Sequence, residues 1–451
     1  MPKDYKRVLV LSHNAFSKTQ NNGKTLESFF QNWDKDSIAQ IFLQPEIPDF
    51  DFCNRYFRMT DYEVLNNIVF KGEIGEEITD YINDIKYTER MNPIIRKLYT
   101  DRRKGSDRKG LNRIIHNAFV ERIPLFISIR EIFWHMANWK SASLIKWIKE
   151  FSPDVLFFQG SSCVFGYEIA LWICNEFSIP MILELTDDYT TCLYRWSIIE
   201  KINKRSYRRI FKEAIKYAHK VIAISEYMMH EYKEQFGGEY TVLMNSINRN
   251  INTNEPQGIR LLYAGNVSIN RWVVLLKIGK ALDEIKSIYN LNCRLDIYTP
   301  VNISGKIKTK LTSISSIEYG GSLSQEELNE EITKSNILVH VESFNNKAKR
   351  ITRLSISTKI PEYMASNRCI FAVGPKDVAS IKYLRDNNFA KVVDCDDISK
   401  IRDSLVEIIK NHTLRKNYCE KAYEAYNLNH HPRITQKSIL EIIENICTKE
   451  S

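Results

Sequence analysis

The sequence predicts an α/β protein with two doubly wound units of parallel sheet. Short apolar runs of strand length alternate with stretches of helical periodicity along the whole chain. The 451 residues are too many for one hydrophobic core and fit two domains of about 200 residues each. A polar stretch that contains proline, residues 250–258, predicts a linker. The predicted division is therefore 1–249 and 258–430, followed by a helical segment at 431–451.

In the first half, strands are predicted where apolar residues stand together between polar or turn-forming ones. These runs are residues 8–12, 39–43, 154–158, 181–185, 220–225 and 241–245. Helices are predicted where apolar residues recur every three or four positions, because that spacing gives a helix one buried face. They are a helix through Phe29 and Trp33, then residues 141–150, 167–177 and 207–219.

The second half repeats this alternation. Its predicted strands are residues 260–265, 293–298, 316–321, 337–341 and 370–373. Its predicted helices are residues 272–289, a short helix beginning near 358, and residues 405–410, 414–427 and about 434–446. Residues 344–353, which hold four lysines or arginines, predict a long basic loop.

Composition excludes several classes of protein. An apolar fraction of 43% and a charged fraction of 26% are ordinary for a water-soluble globular chain. The nine cysteines form no Cys-x-x-Cys pair, so neither a zinc site nor a disulfide framework is predicted, and a reducing compartment is expected. No secretory leader and no run of eighteen apolar residues is found, which predicts a cytoplasmic protein.

The net charge of +9 suits an anionic ligand or an anionic lipid surface. No recognised nucleic-acid-binding module accompanies the charge, so nucleic acid is not a predicted partner.

The most informative segment is residues 356–374, which predicts a turn, a short helix and then a buried strand. Ser357 and Thr358 are candidate N-caps. Lys359 and Glu362 stand at the same helix start. Backbone N–H groups and a lysine can meet phosphate charge, and a carboxylate can accept hydrogen bonds from two ribose hydroxyls. The segment therefore predicts a site for a nucleoside diphosphate.

Residues 357–365, Ser-Thr-Lys-Ile-Pro-Glu-Tyr-Met-Ala, resemble the donor-site segment of GT-B-fold glycosyltransferases. The resemblance is in particular to the bacterial retaining enzymes, similar to family 4, that build capsule, exopolysaccharide or O-antigen. In that family a glutamate at this place holds the ribose of the sugar nucleotide, and Glu362 matches it. The resemblance implies two Rossmann-like domains that face each other across a cleft. It makes residues 1–249 the acceptor side and 258–430 the donor domain, with the helix in 431–451 crossing back to the first domain.

Further fragments follow in the family's order. Residues 245–248 resemble its hinge segment. Tyr263-Ala-Gly265, followed by Arg271, resembles the strand, glycine and basic residue that open the second domain. By that resemblance Arg271 contacts the donor pyrophosphate, and Gly265 and Asn266 belong to the donor-binding set together with Ser357 and Thr358.

Sugar transfer requires that charge developing on the leaving diphosphate be neutralised. Arg271 and Lys359 are the predicted cations, and the resemblance implies neither a metal ion nor a further cofactor. Gly23, with Asn22 beside it and His13 before it, is predicted in the first strand-to-helix loop. Family members bring backbone N–H groups toward phosphate or acceptor from that loop.

Three acidic residues keep two interpretations each. Asp187 and Asp188 follow a predicted strand, where many family members carry a His-Asp pair, and either one of them enters the cleft or they cap a helix. Glu342 follows another strand and either faces the sugar hydroxyls or is a solvated carboxylate. Leu354 stands eight residues before Glu362, where many related enzymes have a glutamate. The sugar itself is therefore not predicted.

A basic insertion at about residues 85–138 contains two unusual stretches. Residues 96–113 hold eight lysines or arginines against two aspartates, and residues 119–139 are rich in Phe, Ile and Trp. Together they could dock on anionic lipid at the inner face of the plasma membrane and reach a polyprenyl-linked acceptor. Alternatively, the aromatic stretch packs in the core and the charged stretch is solvated.

The leading hypothesis is a glycosyltransferase that moves a hexosyl group from a nucleotide-sugar to a glycan or lipid-linked acceptor, with retention. A sugar-nucleotide 2-epimerase of the same fold is one alternative. A non-catalytic GT-B-like subunit is another.

Overall fold

The computed structural model describes residues 5–17, 21–79, 123–194, 196–248, 258–300 and 303–449. The chain forms two compact units, the first made of Met1–Leu243 with Gln436–Ser451 and the second of Met244–Thr435. The basic stretch 96–113 and nearly all of the predicted linker lie outside the described residues.

The first unit is built on an eight-stranded sheet. Its strands are β1 (Val8–Ser12), β2 (Ile38–Phe42), β3 (Arg55–Arg58), β4 (Glu76–Ile78), β5 (Val155–Gln159), β6 (Met181–Leu185), β7 (Lys220–Ala223) and β8 (Tyr240–Val242). They lie in the order β4-β3-β2-β1-β5-β6-β7-β8, and only the β3–β4 pair is antiparallel. Every residue of β1, β2, β5 and β6 is buried, as expected where helices cover both faces of a parallel sheet.

Helices connect these strands. They are α1 (Asn21–Phe30), α2 (Asp61–Phe70), α3 (Pro124–Met136), α4 (Ala142–Phe151), α5 (Val164–Phe177), α6 (Ile198–Tyr217) and α7 (Glu226–Phe236), with a 3-10 turn at Lys35–Ser37. Several begin at a serine or threonine whose hydroxyl accepts a backbone N–H of the first turn. These caps are Thr60, Ser141, Ser197 and Ser225.

The second unit is built on a six-stranded sheet that is parallel throughout. Its strands are β9 (Ile259–Ala264), β10 (Cys293–Tyr298), β11 (Ile317–Gly321), β12 (Ile337–Val341), β13 (Cys369–Val373) and β14 (Lys391–Val393), in the order β11-β10-β9-β12-β13-β14. Its helices are α8 (Arg271–Tyr289), α9 (Gly305–Thr312), α10 (Gln325–Thr333), α11 (Asn346–Thr352), α12 (Lys359–Ala365), α13 (Ala379–Asp386), α14 (Ile398–Lys410) and α15 (His412–Asn429).

The last helix, α16 (Pro432–Lys449), places most of its length in the first unit. Ile439, Ile443 and Ile446 recur at helical spacing and are buried in the core that covers β1 and β5. Asn32 Nδ2 also donates to Gln436 Oε1 at 2.6 Å. Among the described residues, no helix combines the length and apolar character that crossing a bilayer requires.

The predicted α/β alternation is confirmed, and strands 8–12, 181–185, 293–298 and 337–341 have the predicted bounds. Several elements were not predicted, namely the strands β3, β4 and β14 and the helices α2, α3, α7, α9, α10 and α13. The three strands are short and carry charged residues. The helix predicted at 207–219 begins nine residues earlier, at Ile198. The loop predicted at 344–353 is wrong: Asn345 accepts the N–H groups of Lys347 and Ala348 and starts α11.

Candidate active site

The candidate site of the second unit lies at the carboxyl ends of three neighbouring strands. Gly265 follows β9, Glu342 follows β12 and Gly374 follows β13, and β12 stands between the other two strands. Ligands of doubly wound parallel sheets bind beyond this edge. The fold therefore places several of the predicted donor residues where a ligand is expected.

Arg271 and Glu342 form a buried ion pair at this edge. The Arg271 Nη2 atom lies 2.9 Å from Oε1 and 3.0 Å from Oε2 of Glu342, and Nε lies 3.3 Å from Oε2. The side chain of Arg271 is 18% exposed and that of Glu342 is 2% exposed. Burial lowers the pKa of Arg271 and the charge of Glu342 raises it, with a net rise, so the guanidinium stays charged. The interpretation of Glu342 as a solvated carboxylate is therefore wrong.

The loop before Arg271 has an unusual backbone. Ile269 and Asn270 both have positive φ, 52° and 65°, and this left-handed conformation is rare for a β-branched residue. Such strain persists only where the surrounding structure enforces it. Here it turns the chain from β9 into α8, so that Arg271 becomes the first residue of the helix and faces Glu342.

His340 contacts the same pair. It lies two residues before Glu342 on β12, so both side chains project from one face of the sheet. Its Nε2 atom is 3.6 Å from Glu342 Oε1 and makes no hydrogen bond with the described residues. Burial lowers the pKa of His340 to about 4, so the imidazole is neutral at pH 7. Glu342 therefore takes its compensating charge from Arg271.

Glycine at position 374 lets Glu342 approach the sheet closely. A Cβ atom on Gly374 would lie 2.8 Å from Glu342 Cβ and 2.9 Å from Ile381 Cδ1. The backbone N–H of Glu342 also donates to Val373 O at 2.9 Å. Gly374 was not among the predicted site residues.

Lys359 and Glu362 form a second ion pair, within α12. Lys359 Nζ lies 2.8 Å from Glu362 Oε2, and Glu362 is 2% exposed. The neighbouring Tyr363 ties the helix to the end of β9, because its hydroxyl accepts the N–H of Ala264 at 3.2 Å. Glu362 and Lys359 are thus held beside the strand that leads to Gly265 and Arg271.

The predicted caps of α12 are corrected by the structure. Thr358 occupies the N-cap position with helical angles (φ −59°, ψ −17°), and its side chain accepts no backbone N–H. A side-chain cap requires extended backbone at that position. Ser357 instead accepts the N–H of Lys359 at 3.4 Å, and its own N–H donates to Ser380 Oγ at 3.0 Å. The hydroxyl of the exposed Thr358 is thereby left at the surface.

Asn266 shapes the loop that follows Gly265. Its Oδ1 atom accepts the N–H of Ser268 at 2.7 Å, and its carbonyl accepts the Tyr263 hydroxyl at 2.8 Å. A Cβ atom at Gly265 would lie 3.0 Å from that same hydroxyl. The two predicted donor residues therefore keep the turn tight.

In the first unit, His13 follows β1, and its ring contacts the side-chain amide of Gln44. Helix α1 begins at Asn21, so Asn22 and Gly23 lie in its first turn rather than in the predicted loop. Glu46 fixes the loop between β1 and α1, because its carboxylate accepts from Asn14 Nδ2 at 2.8 Å and from the N–H of Ala15 at 3.1 Å. It was not among the predicted site residues.

Gly23 is required by packing against backbone. A Cβ atom there would lie 2.1 Å from Ala15 O. We expect Gly23→Ala to destabilise the first unit by about 1–3 kcal/mol, because two backbone segments must separate. Gly305→Ala is the matched control, since nothing lies within 4 Å of a Cβ atom at that helical position. Thermal unfolding measures both variants; equal melting temperatures for Gly23→Ala and the wild type would contradict the close approach.

Asp187 and Asp188 lie in the loop after β6 and not in the strand. Asp188 is buried, and its carboxylate accepts from Thr190 N at 2.9 Å, Thr191 Oγ1 at 2.7 Å and Tyr232 OH at 2.8 Å. The suggested helix-capping role is wrong, because Ser197 caps the next helix. Asp188 fixes its own loop, and the half-buried Asp187 accepts the Tyr189 hydroxyl at 3.2 Å.

The second unit thus places two cations, Arg271 and Lys359, and two buried carboxylates, Glu342 and Glu362, at one side of its sheet. A nucleoside diphosphate needs cations for its phosphates and hydrogen-bond acceptors for its ribose hydroxyls. Among the described residues, no three His, Cys, Asp or Glu side chains are grouped as a metal site would need. His340 and Gly374 were missed as site residues. A signal for His340 existed, since it lies two positions from Glu342 in a predicted strand.

Solved structures of several glycosyltransferases share this fold. HepE from Anabaena, in complex with UDP and glucose, superposes with a TM-score of 0.60 at 9% identity, covering 98% of this chain and 100% of that one. Sucrose-phosphate synthase from Thermosynechococcus elongatus gives 0.61 at 9% identity, with the same shares covered. The α,α-trehalose 6-phosphate synthase from Burkholderia multivorans gives 0.60 at 9% identity, covering 99% and 100%. The predicted fold class, GT-B, is confirmed.

The sequence itself points to the same class. Residues 97–250 match the model of Glycosyltransferase Family 4. The predicted enzyme class is thereby confirmed. No curated protein sequence matches this chain.

Proposed function

We propose that this protein transfers a sugar from a nucleotide-sugar donor to a glycan or polyprenyl-linked acceptor during synthesis of a bacterial surface polysaccharide. The transfer proceeds with retention and without a metal ion. The protein acts in the cytoplasm, at the inner face of the plasma membrane.

The observation that carries this proposal is the buried carboxylate of Glu362 beside the end of β9. A carboxylate that is 2% exposed is costly unless it is paired, and here Lys359 supplies the charge at 2.8 Å. Ribose hydroxyls would add hydrogen bonds to the same carboxylate. The resemblance of residues 357–365 to the family's donor segment assigns Glu362 that role.

Arg271 is suited to the leaving diphosphate. Glu342 occupies Nε and Nη2 of its guanidinium, whereas Nη1 makes no hydrogen bond with the described residues. A guanidinium has five donors in a fixed plane, so one edge can be held by Glu342 while the other meets phosphate oxygens. The ion pair thus orients the cation before the donor binds, which lowers the cost of reorganisation when charge develops.

The donor class is proposed from a neighbour of the same fold. HepE was solved in complexes with UDP, with UDP and glucose, and with UDP-glucose. A UDP-sugar is therefore the first donor to test. The base and the sugar have no contact assigned in this chain, and a panel of nucleotides is the appropriate experiment.

The test has two stages. Thermal shift is measured with UDP, GDP, ADP and CMP and their common sugar conjugates. We expect the nucleotides of one base, uracil being favoured, to raise the melting temperature. The sugar nucleotide that binds is then incubated without acceptor, and its products are separated. Slow release of free sugar and nucleoside diphosphate supports a transferase, whereas an isomeric sugar nucleotide would make the chain a 2-epimerase. The absence of any shift would overturn the proposal in favour of a non-catalytic subunit.

A further inference from the structure

Helix α3 in the first unit exposes an apolar row. Leu125, Ile129, Ile132 and Met136 recur at spacings of four, three and four, which places them on one side of the helix. All four are exposed, and Met136 reaches 65%. The opposite side carries the structural contacts, since Arg130 Nε lies 2.8 Å from Asp61. The apolar row is therefore not needed to pack α3 onto its neighbours.

Helix α6 exposes a second apolar group at its start. Trp196 is 82% exposed, Ile198 is 72% exposed and Ile202 is 63% exposed. Ile198 and Ile202 begin a row that continues one turn at a time into Arg205 and Arg209. One side of the same helix thus changes from apolar to cationic along its length.

The cations of α6 are unbalanced. The helix holds seven lysines or arginines and two glutamates, one of which, Glu200, is buried. Five of these cations are exposed and make no ion pair with another described residue: Lys201, Arg205, Arg209, Lys212 and Lys216. A structural helix would gain from carboxylates spaced to pair with them, and this one has a single exposed glutamate, Glu213.

The two helices pack side by side. Ser128 Oγ donates to Asn203 Oδ1 at 2.8 Å, and Asn203 Nδ2 donates to Pro124 O at 2.9 Å. A groove of about 490 Å³ lies between them, lined by apolar residues of both, including Ile132, Met136 and Ile202. Ser162 and Leu193, from the segments that follow β5 and β6, also line it.

We propose that this α3–α6 face, defined by the apolar rows and the five cations named above, binds the surface of an anionic lipid bilayer. The cations meet lipid phosphates, and the isoleucines, Met136 and Trp196 enter the interface between head groups and acyl chains. An indole is favoured at that depth because it is apolar with one polar N–H.

Charge complementarity favours a lipid bilayer over a second copy of the chain or a nucleic acid as the partner of this face. In a symmetric dimer the same patch would face itself, and five unpaired cations would meet five more. A nucleic-acid backbone would neutralise the cations but leave the aliphatic rows of α3 in water. An anionic bilayer is the one surface that satisfies both groups together.

This inference rests on the proposed function in one respect, because docking here would present the carboxyl edge of the first sheet to a lipid-borne acceptor. The binding itself is independent of the nucleotide. If no nucleotide binds but anionic vesicles do, the proposed function is contradicted and the lipid-binding face stands. If a nucleotide binds but vesicles do not, only the lipid-binding face is contradicted.

The experiment is co-sedimentation of the full chain with vesicles of phosphatidylcholine containing about one third phosphatidylglycerol, and with pure phosphatidylcholine. We expect binding to the anionic vesicles only, and its loss at high salt. Arg205→Gln/Arg209→Gln should weaken binding by about 30-fold, since each cation near such a surface contributes about fivefold. Ile198→Ser/Ile202→Ser should weaken it by tenfold or more at unchanged charge, on the order expected for two inserted side chains.

Lys280→Gln/Lys286→Gln is the matched control, because it removes two exposed cations from α8 in the other unit, and its binding should equal that of the wild type. All substituted side chains are exposed, so thermal unfolding should be unchanged. The proposal is overturned if anionic vesicles are not bound, if pure phosphatidylcholine is bound equally, or if either α6 variant binds as the wild type does. A dimer that dissociates in the isoleucine variant, without vesicle binding, would identify the face as a contact between copies.

Discussion

Arg271→Ala is expected to lower kcat by about 10² to 10³-fold, with a change of less than about tenfold in the donor KM. The guanidinium is fixed by Glu342 before any ligand arrives, so its charge is most effective where negative charge develops on the leaving diphosphate. Steady-state kinetics with the donor found by the nucleotide panel would measure both constants. A loss confined to KM would mean that Arg271 contributes only ground-state binding.

The same substitution also threatens the fold. It leaves the Glu342 carboxylate, 2% exposed, without its cation, and breaking a buried pair in this way costs about 3–5 kcal/mol. Arg271→Ala/Glu342→Gln removes both charges and should recover most of that stability. If the double variant melts near the wild type and still turns over slowly, the kinetic loss belongs to the chemistry. Recovery of turnover with stability would assign Arg271 a purely structural role.

Arg260→Ala supplies the matched control. Arg260 pairs with Asp296 and Glu331 at the beginning of β9, the edge opposite the candidate site, and its side chain is 15% exposed against 18% for Arg271. Asp296 is as buried as Glu342, at 1% against 2%. We expect a smaller loss of stability from Arg260→Ala than from Arg271→Ala, because Arg294 Nε still lies 3.0 Å from Asp296 Oδ1. The kcat of the fraction that remains folded should be nearly unchanged.

Glu362→Ala is expected to weaken binding of the donor nucleotide by about 1–3 kcal/mol, or about 5- to 150-fold in Kd. The substitution removes the acceptor for the ribose hydroxyls and leaves Lys359 without its partner at 2.8 Å. Isothermal titration calorimetry with the nucleoside diphosphate measures the effect without turnover.

Two further variants test whether weaker binding comes from the lost ribose contact of Glu362 or from the loss of any carboxylate. Glu362→Gln keeps the shape and one acceptor oxygen, so it should bind better than Glu362→Ala and worse than the wild type. Glu330→Ala removes an exposed carboxylate that pairs with Lys334 at 3.5 Å, and its Kd should not change. Wild-type affinity in a folded Glu362→Ala variant would exclude Glu362 from the donor site.

Local pattern was sufficient for most of the fold. Strands such as 181–185 and 337–341 are unbroken apolar runs, and burial on both faces of a parallel sheet produces that pattern directly. β3 escaped prediction because its four residues, Arg-Tyr-Phe-Arg, have charged ends, and its place at the side of the sheet depends on pairing with β2. A four-residue run carries too little periodicity to distinguish a strand from a loop.

In the candidate site, too, some features could be predicted from local sequence and others depend on the tertiary structure. Glu362, Lys359 and Arg271 were predicted from the order of short motifs, and the structure places all three near the end of β9. Whether Glu342 faces solvent or a partner was open in the sequence, because Arg271 lies 71 residues away along the chain. The pair comes together because β12 lies beside β9 in the sheet, so that the segments after the two strands are neighbours.

By itself, the sequence determined the α/β class, the two units and the segment that binds the donor in related enzymes, because each depends on neighbouring residues. The tertiary structure decided which charges are paired. It made Asp188 the brace of its own loop and joined Arg271 to Glu342. It also left five cations of α6 without an ion pair among the described residues, beside the apolar row of α3. Those outcomes depend on contacts between distant segments, since a charge is neutralised by what the fold places within a few ångströms of it.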